Sequence, residues 1–322
     1  MSEAPGRSRL DWLTPADPRP GIARHVAELA CRAPSIYNTQ PWRWKVEGTS
    51  LKLGADRSRQ LGTADPQGRE LVMSCGASLD HARAAAAAVG LSADVTRFPT
   101  SHEPDQLARL DLQTSAVPHR DPLVLEALQL RCTDRRRFTQ WPVSSDRVLE
   151  LAGTVAPRRQ ASSVQVIPLV DLWAKVRVEM LATLATTVLV NDAAYQAERD
   201  SWGFGAAAGV PPSPLDDHVP SAAEAVVLTD GLIILATPDD DMAAWLSVGE
   251  VLSELWLTAT TGDLSIVPIS QPLELAATRA LISDELLGGL VPQLLLRLGW
   301  QPIGRFGLPQ SPRRPFSEVI QG

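Results

Sequence analysis

The sequence has little cysteine, and the cysteines it has are not arranged for structural use. Cys31, Cys75 and Cys132 are odd in number, far apart and without CxxC spacing, which predicts neither a disulfide framework nor a thiolate metal site. The five histidines are also scattered, without the paired spacing of a zinc site, and the Gly-x-Ser-x-Gly elbow of hydrolases is missing. We therefore predict no bound metal and expect a reduced, cytoplasmic chain.

Long apolar runs and an excess of positive charge are missing as well. No apolar run approaches the roughly 20 residues of a membrane-spanning helix, and the N-terminal residues lack the apolar core of a signal peptide. The net charge of −7 argues against nucleic-acid and membrane-surface partners, because both require a positive field. Hydrophobic residues make up 44% of the 322 residues, enough for one large domain or two of ordinary size.

Apolar periodicity divides the first part of the chain into alternating elements. The predicted elements are helices at 22–30 and 65–89, a hairpin at 42–53 and a strand at 93–98. In the longer helix, Asp65 is expected to be the cap and Pro66 the first helical residue. Residues 99–122 are polar and contain proline, which predicts a linker with one strand around 108–112.

The second part of the chain follows the same criteria. Its predicted helices are 123–130, 145–152, 172–190, 242–261, 276–283 and 286–296, and its predicted strands are 164–170, 232–236 and 264–269. The most apolar stretches, 180–190 and 286–296, are interpreted as buried helices. Residues 200–222 lack periodicity and are rich in glycine and proline, which is typical of a lid or a disordered insert.

The most specific motif is the stretch 33–42, Ala-Pro-Ser-Ile-Tyr-Asn-Thr-Gln-Pro-Trp, between a predicted helix and a predicted strand. Pro34 disfavours helical geometry before it and removes a backbone donor, so the helix should stop and leave Ser35 and Asn38 as polar groups in a bend. Such a bend is also common as a plain helix stop whose side chains cap backbone groups. The letters alone do not decide between the two readings.

This stretch resembles the Pro-Ser-x-x-Asn-x-Gln-Pro-Trp signature of the nitroreductase family, flavin mononucleotide (FMN) enzymes of α+β fold. The resemblance implies that Pro34, Ser35 and Asn38 contact the isoalloxazine and ribityl parts of FMN, and that Gln40 contacts FMN or braces the turn. It also implies that the cofactor carries the hydride chemistry, so that no catalytic acid or base of the protein is required.

A second likeness concerns the phosphate of FMN. Arg131, Thr133 and Arg135 resemble the Arg-x-Ser/Thr-x-basic pattern that binds the phosphate and ribityl chain in the family, and Arg313 and Arg314 match its basic C-terminal segment. Guanidinium groups suit a dianionic phosphate because they give bidentate, charge-assisted hydrogen bonds. The alternatives are a solvated basic face or a small nucleic-acid patch.

The family also places residues beside the reactive flavin nitrogen after a strand that corresponds to 264–269. Ser270 and Gln271 occupy those positions here, where common nitroreductases often carry an acidic residue and glycine. The resemblance therefore assigns both residues to the cofactor site, with a departure that bears on standard activity.

An internal repeat links the two parts of the chain. Gly76-x-x-Leu79 and Gly249-x-x-Leu252 each open an apolar helix, and Leu91 and Leu264 each follow their glycine by fifteen positions at the start of a strand. In the nitroreductase family this helix packs against its twin in a homodimer. The resemblance thus implies a monomer with an internal pseudo-dimer and one composite FMN site. Its two tandem half-domains would be residues 1–120, with the signature, and residues 121–322, with the arginines and the lid-like loop.

The tandem arrangement resembles the Acg-like branch of the family, found among actinobacteria and associated with stress or dormancy responses. The implied function is an FMN-dependent oxidoreductase that takes electrons from NAD(P)H or another donor and reduces nitro or quinone-like compounds. The alternative is a catalytically silent protein that stores or sequesters FMN behind residues 200–222. No nucleic-acid or membrane partner is expected.

Overall fold

The computed structural model describes residues 20–115, 121–133, 138, 141–155, 163–202, 231–300 and 311–321. The elements of the first part are α1 (Pro20–Ala30), β1 (Trp42–Glu47), β2 (Ser50–Ala55), α2 (Arg69–Ala88), β3 (Leu91–Arg97) and β4 (Gln106–Thr114). The elements of the second part are α3 (Pro122–Leu130), α4 (Ser145–Val155), β5 (Gln165–Pro168), α5 (Leu172–Val190), α6 (Ala193–Trp202), β6 (Gly231–Thr237), α7 (Met242–Thr261), β7 (Leu264–Ile269), α8 (Gln271–Glu274), α9 (Ala276–Leu286), β8 (Val291–Trp300), α10 (Phe316–Val319) and β9 (Ile320–Gln321). The expected mixture of helices and strands is confirmed.

The strands form two sheets with the same internal order. One sheet runs β3-β4-β2-β1-β9, and the other runs β7-β8-β6-β5. All neighbours are antiparallel except β1 and β9, which are parallel. Each sheet has a register shift in its central pair, at Leu53/Gly54 in one and at Leu235/Ala236 in the other. In each, one 20-residue helix separates the second strand from the third along the chain.

These two helices, α2 and α7, cross at a pair of glycines. A Cβ atom added to Gly76 would collide with the carbonyl oxygen of Leu246, and one added to Gly249 would collide with the carbonyl oxygen of Met73. The obstacle is backbone in both cases, so only glycine permits the approach. The offset of 173 positions between the glycines also relates Met73 to Leu246, which makes the two contacts reciprocal.

The core explains one wrong prediction. Residues 286–296 were expected to form a buried helix, but α9 ends at Leu286, Gly288 and Gly289 have φ of 60° and 93°, and β8 then forms the centre of the second sheet. Leu294 and Leu296 face one apolar cluster while Leu295 faces another, so the strand is covered on both sides. A strand buried on both faces is a nearly continuous apolar run, and periodicity does not distinguish it from a buried helix.

Two further expectations need correction. The predicted linker contributes an inner strand of the first sheet, because β4 (Gln106–Thr114) lies between β3 and β2. Helix α2 begins at Arg69, so Pro66 is not helical; Asp65 nevertheless caps the helix, since its carboxylate accepts the N–H groups of Glu70 and Leu71 at 3.1 and 2.8 Å.

The stretch 180–190 is helical but only partly buried, because Leu181, Ala185 and Leu189 lie in the interior while the opposite face is exposed. Met180, Leu184 and Val188 are 57%, 48% and 44% exposed, and their spacing places them on one face of α5. Helix α6 was not predicted. It includes residues 200–202, whereas residues 203–222 of the expected lid lie outside the described residues.

In the described part of the chain, no helix combines the length and apolar composition needed to cross a bilayer. The same residues contain no cluster of acidic, histidine and cysteine side chains placed to hold a metal ion. Cys31, Cys75 and Cys132 all carry free thiols.

Candidate functional site

A cleft opens where the 33–42 bend meets α2, α7 and the end of β7. Its walls are largely apolar with a few polar groups, the composition expected of a small-molecule site. The lining residues are Pro34, Ser35, Ile36, Tyr37, Glu70, Met73, Ser74, Thr133, Leu252, Trp256, Pro268, Ser270 and Leu294.

The bend that forms one wall has an unusual backbone. Tyr37, Asn38 and Gln40 have φ of 44°, 55° and 49°, in the left-handed region that residues other than glycine rarely occupy. Two serines hold it: Ser35 Oγ accepts the N–H of Gln40 at 3.0 Å, and Ser74 Oγ accepts the N–H of Ile36 at 3.2 Å. Such strain persists where the surroundings fix it, and it concentrates at functional sites.

Asn38 and Gln40 join this bend to the C-terminal segment. Asn38 donates its side-chain amide to the carbonyl of Pro312 at 2.9 Å, and Gln40 Oε1 accepts the N–H of Arg314 at 2.8 Å. Gln40 also donates to the carbonyl of Asn38 at 3.2 Å. Gln40 therefore braces the turn, and a direct contact of either residue with a cofactor stays a prediction.

Arg131 is a buried cation with unused hydrogen-bonding capacity. It is 5% exposed, stacks over the ring of Trp256 at 4.7 Å and donates one bond, from Nη2 to the carbonyl of Arg32 at 2.9 Å. Its Nε and Nη1 atoms are buried and have no hydrogen-bond partner among the described residues. Burial, with the nearby charge of Arg313 adding to it, lowers the pKa of Arg131 to about 9. A buried guanidinium with two free donors suits an anionic ligand.

The two tail arginines differ in their surroundings. Arg313 donates to the carbonyl of Arg32 at 3.0 Å and to Asn38 Oδ1 at 3.3 Å, and burial lowers its pKa to about 10. Arg314 instead pairs with the buried carboxylate of Asp56 at 3.4 Å. The charge of Arg314 is therefore compensated within the protein, whereas Arg313 adds its charge to that of Arg131.

The other predicted residues are only partly brought together. Thr133 and Ser270 line the cleft with Pro34 and Ser35, although they lie far apart in the sequence. Gln271 does not line it; its side chain instead accepts a 3.5 Å hydrogen bond from Thr186 on α5. Arg135 lies outside the described residues.

Sequence reasoning missed the acidic and phenolic side of the cleft. Glu70 lines the cleft, is buried and pairs with Arg69 at 3.0 Å. The hydroxyl of Tyr37 lies 2.8 Å from that of Tyr195, which donates to Glu274 Oε2 at 2.6 Å. Burial raises the pKa of both Glu70 and Glu274. Tyr37 lies inside the 33–42 motif, but no local sequence pattern connects it with Tyr195, which is 158 positions away, or with Glu274.

The sequence is similar to two curated proteins of Mycobacterium tuberculosis. It is 38% identical over 320 residues to "Putative NAD(P)H nitroreductase Rv3131", covering 92% of this chain and 90% of the relative. It is 34% identical over 325 residues to "Putative NAD(P)H nitroreductase acg", covering 93% and 95% respectively. No family model matches the chain. Among solved structures, the FMN-dependent nitroreductase NfnB from Mycobacterium smegmatis in complex with NADPH is similar, with a TM-score of 0.44 and 17% identity, covering 62% of this chain and 97% of that chain.

Proposed function

The chain belongs to the nitroreductase family, in its Acg-like branch, and from this premise we propose that it is an FMN-dependent oxidoreductase. In this proposal NAD(P)H supplies electrons and nitro or quinone-like compounds accept them. The names of the curated relatives support the nicotinamide donor. The observation that carries the proposal is the buried Arg131 beside the cleft, with two donors that no described residue uses.

The residues around Arg131 fit the phosphate of FMN. A phosphate dianion would compensate a buried charge for which the described residues provide no carboxylate, and two guanidinium donors can bind two of its oxygens. Arg313 reinforces the positive potential at this point, and Thr133 offers a hydroxyl at the edge of the cleft. Arg135 completes the proposed set from the sequence, while Arg314 is assigned to the support of the bend.

The remaining walls fit a flat, largely apolar ring system. Leu252, Trp256 and Leu294 supply apolar surface that excludes water, and Ser35 and Ser270 supply polar groups at the edges. When bound there, FMN would supply the hydride chemistry. The contribution of the chain is to bind the cofactor, orient it and admit a second small molecule to its exposed face.

We further propose that the chain is a fused pair of nitroreductase-like halves, residues 1–120 and 121–322. The matching strand order of the two sheets and the reciprocal glycine contacts of α2 and α7 support this division. The cleft draws Ser35 and Glu70 from the first half and Thr133 and Ser270 from the second. A fused pair already contains its dimer partner, so a monomer with one FMN is the expected form.

The test is a visible spectrum of the purified protein, followed by anaerobic addition of NADPH or NADH. We expect a yellow protein, or one that becomes yellow with added FMN, whose flavin absorbance bleaches within seconds. Subsequent addition of a quinone should restore the absorbance. A protein that binds no FMN even after reconstitution would refute the assignment of the cleft.

The second candidate is a protein that stores FMN without turnover. Helix α6 favours it, because Tyr195 bonds to the cleft residue Tyr37 and the carboxylate of Glu198 accepts the N–H groups of Gly62, Thr63 and Ala64. These contacts hold α6 against the bend that forms one wall of the cleft. A bound flavin that dithionite reduces but neither nicotinamide reduces would favour this candidate.

A cytoplasmic location and a role in stress or dormancy complete the proposal. Three free thiols suit a reducing compartment. Cell fractionation tests the location, and comparison of protein levels in growing and oxygen-starved cells tests the role.

A further inference from the structure

Tyr37, Tyr195 and Glu274 form a hydrogen-bonded chain that ends at the cleft, and we propose that this chain delivers a proton to the compound reduced there. The inference rests on the proposed reductase function and adds a proton donor from the protein, which the sequence did not lead us to expect. Tyr37 would be the catalytic residue, because it lines the cleft. Tyr195 and Glu274 would act through it.

The chain is continuous in its geometry. The two phenolic oxygens are 2.8 Å apart, and Tyr195 Oη lies 2.6 Å from Glu274 Oε2, both normal distances for hydrogen bonds between oxygens. An ionised carboxylate only accepts, so Tyr195 then donates to Glu274, and Tyr37 donates to Tyr195. When Glu274 is protonated, every bond reverses and the hydroxyl proton of Tyr37 becomes free to face the cleft. The two arrangements differ by the transfer of one proton.

The members of the chain are held in place from both ends. Tyr37 has a left-handed backbone, with φ of 44° and ψ of 27°, in the bend that Ser35 and Ser74 fix. Tyr195 is 1% exposed and lies on α6, which Glu198 anchors to residues 62–64 through backbone N–H groups. Strained backbone conformations concentrate at functional sites, which supports a role for Tyr37 in the chemistry of the cleft.

Glu274 is suited to hold the proton. Its Oε1 atom is shielded from solvent and accepts no hydrogen bond that meets ordinary geometry from any described residue. Burial raises the pKa of its carboxyl, although the nearby Ser270, Tyr195 and Arg69 oppose the rise. The charged groups that act on the chain from neighbouring elements are Asp65 and Arg69 at Glu274, and Glu70 and Arg199 at Tyr37. Arg279 acts on Glu70.

The proton balance can be written for a quinone. A quinone becomes a hydroquinone by gaining two electrons and two protons. A hydride, drawn ultimately from NAD(P)H, brings both electrons and one of the protons, and NAD(P)⁺ is the oxidised product. The second O–H bond of the hydroquinone forms as the O–H bond of Tyr37 breaks. Tyr37 then recovers a proton from Tyr195, Tyr195 from Glu274, and Glu274 from water.

The experiment isolates the step that needs the proton. The FMN-loaded protein is reduced anaerobically with dithionite and mixed with menadione, and the return of flavin absorbance is followed between about pH 6 and about pH 9 in H₂O and D₂O. We expect the wild-type rate to fall as pH rises and to be lower in D₂O. Tyr195→Phe removes only the central hydroxyl and should slow the step roughly 100-fold, the low end for general acid catalysis, with a flattened pH profile.

Two further variants separate proton delivery from structure. Glu274→Gln keeps the shape and hydrogen bonding of the side chain but has no acidic proton, so it should flatten the pH profile in the same way even if Tyr195→Phe fails to fold. Glu198→Gln weakens the anchoring of the same helix without touching the chain, and it should keep the wild-type pH profile. The FMN affinity of all three variants, measured by fluorescence quenching, should match that of the wild type.

Wild-type rates, pH profiles and D₂O effects in both Glu274→Gln and a folded Tyr195→Phe would overturn the inference while leaving the proposed function intact. A flattened profile in Glu198→Gln would overturn it too, since the effect would then belong to α6 as a whole. Failure of the wild-type protein to bind FMN would overturn the proposed function and this inference together.

Discussion

Replacing Arg131 with methionine should have opposite effects on the free and the FMN-bound protein. The native side chain is 5% exposed and has two donors without partners in the described structure. Its pKa falls from 12.5 to about 9, chiefly through burial. One pKa unit corresponds to about 1.4 kcal/mol, so this charge costs the free protein on the order of 5 kcal/mol at neutral pH.

The direction in which stability changes with pH follows from proton linkage. Between the lowered pKa and 12.5, the unfolded chain binds the proton more strongly than the folded chain, so stability rises with pH there and the full cost is present below that window. Methionine removes the cost but loses the stacking on Trp256 and the bond to the carbonyl of Arg32. We expect a net gain of about 1–3 kcal/mol for the free variant, as when buried ions are replaced by apolar residues.

FMN binding should show the reverse. Two hydrogen bonds from a charged donor contribute roughly 1.5–3 kcal/mol each, so their loss should weaken FMN binding by about 10²- to 10⁴-fold. Thermal unfolding with and without FMN measures both effects. Without FMN the variant should have a higher melting temperature than the wild type, and added FMN should raise it only slightly. Arg147→Met is the matched control, because Arg147 pairs with Glu150 on the exposed face of α4. A free variant that is several kcal/mol less stable, with unchanged FMN affinity, would refute the reasoning.

Two other predictions concern the scaffold. Gly249→Ala places a Cβ against the backbone of α2 and should destabilise the protein by about 3 kcal/mol. Gly153→Ala, at a position in α4 with open space around it, should instead stabilise the protein by roughly 1 kcal/mol. Urea unfolding measures both free energies, and equal effects would contradict the close crossing of α2 and α7. Burial raises the pKa of Glu70 to about 8, so the folded state binds the extra proton and stability should fall as pH rises between about 5 and 8. Glu70→Gln should flatten this dependence in thermal melts, and an unchanged slope would show that Glu70 does not hold the proton.

Whether the sequence predicted a segment correctly depended on which of its faces are buried in the fold. Helix α7 and strand β7 were predicted to the residue, because α7 is a strongly apolar helix and an apolar strand follows it after a short turn. Strand β8 was predicted as a helix because both of its faces are buried. Helix α2 was predicted to start too early, since Asp65 caps from a position outside the helix rather than adjacent to it.

For the site, the sequence predicted those lining residues that belong to a family motif. Ser35 and Thr133 were expected and line the same cleft. Tyr195 and Glu274 were not, because their roles arise only when the α6 segment folds back onto the bend. Contacts of this kind depend on tertiary packing, and neither periodicity nor local residue preference carries information about them.

Strand β9 has a consequence for the order in which the structure can form. It pairs with β1, so the first sheet receives its outer strand from residues that are synthesised long after β1. The residues just before β9, Pro312 to Arg314, are those that hold Asn38 and Gln40 in the bend. Residues 311–321 must therefore be synthesised before the bend has its full set of bonds, and a nascent chain can form its first helices and hairpin without yet forming its cleft. A deletion within residues 311–321 acts directly on the site, although this segment lies far from the bend in the sequence.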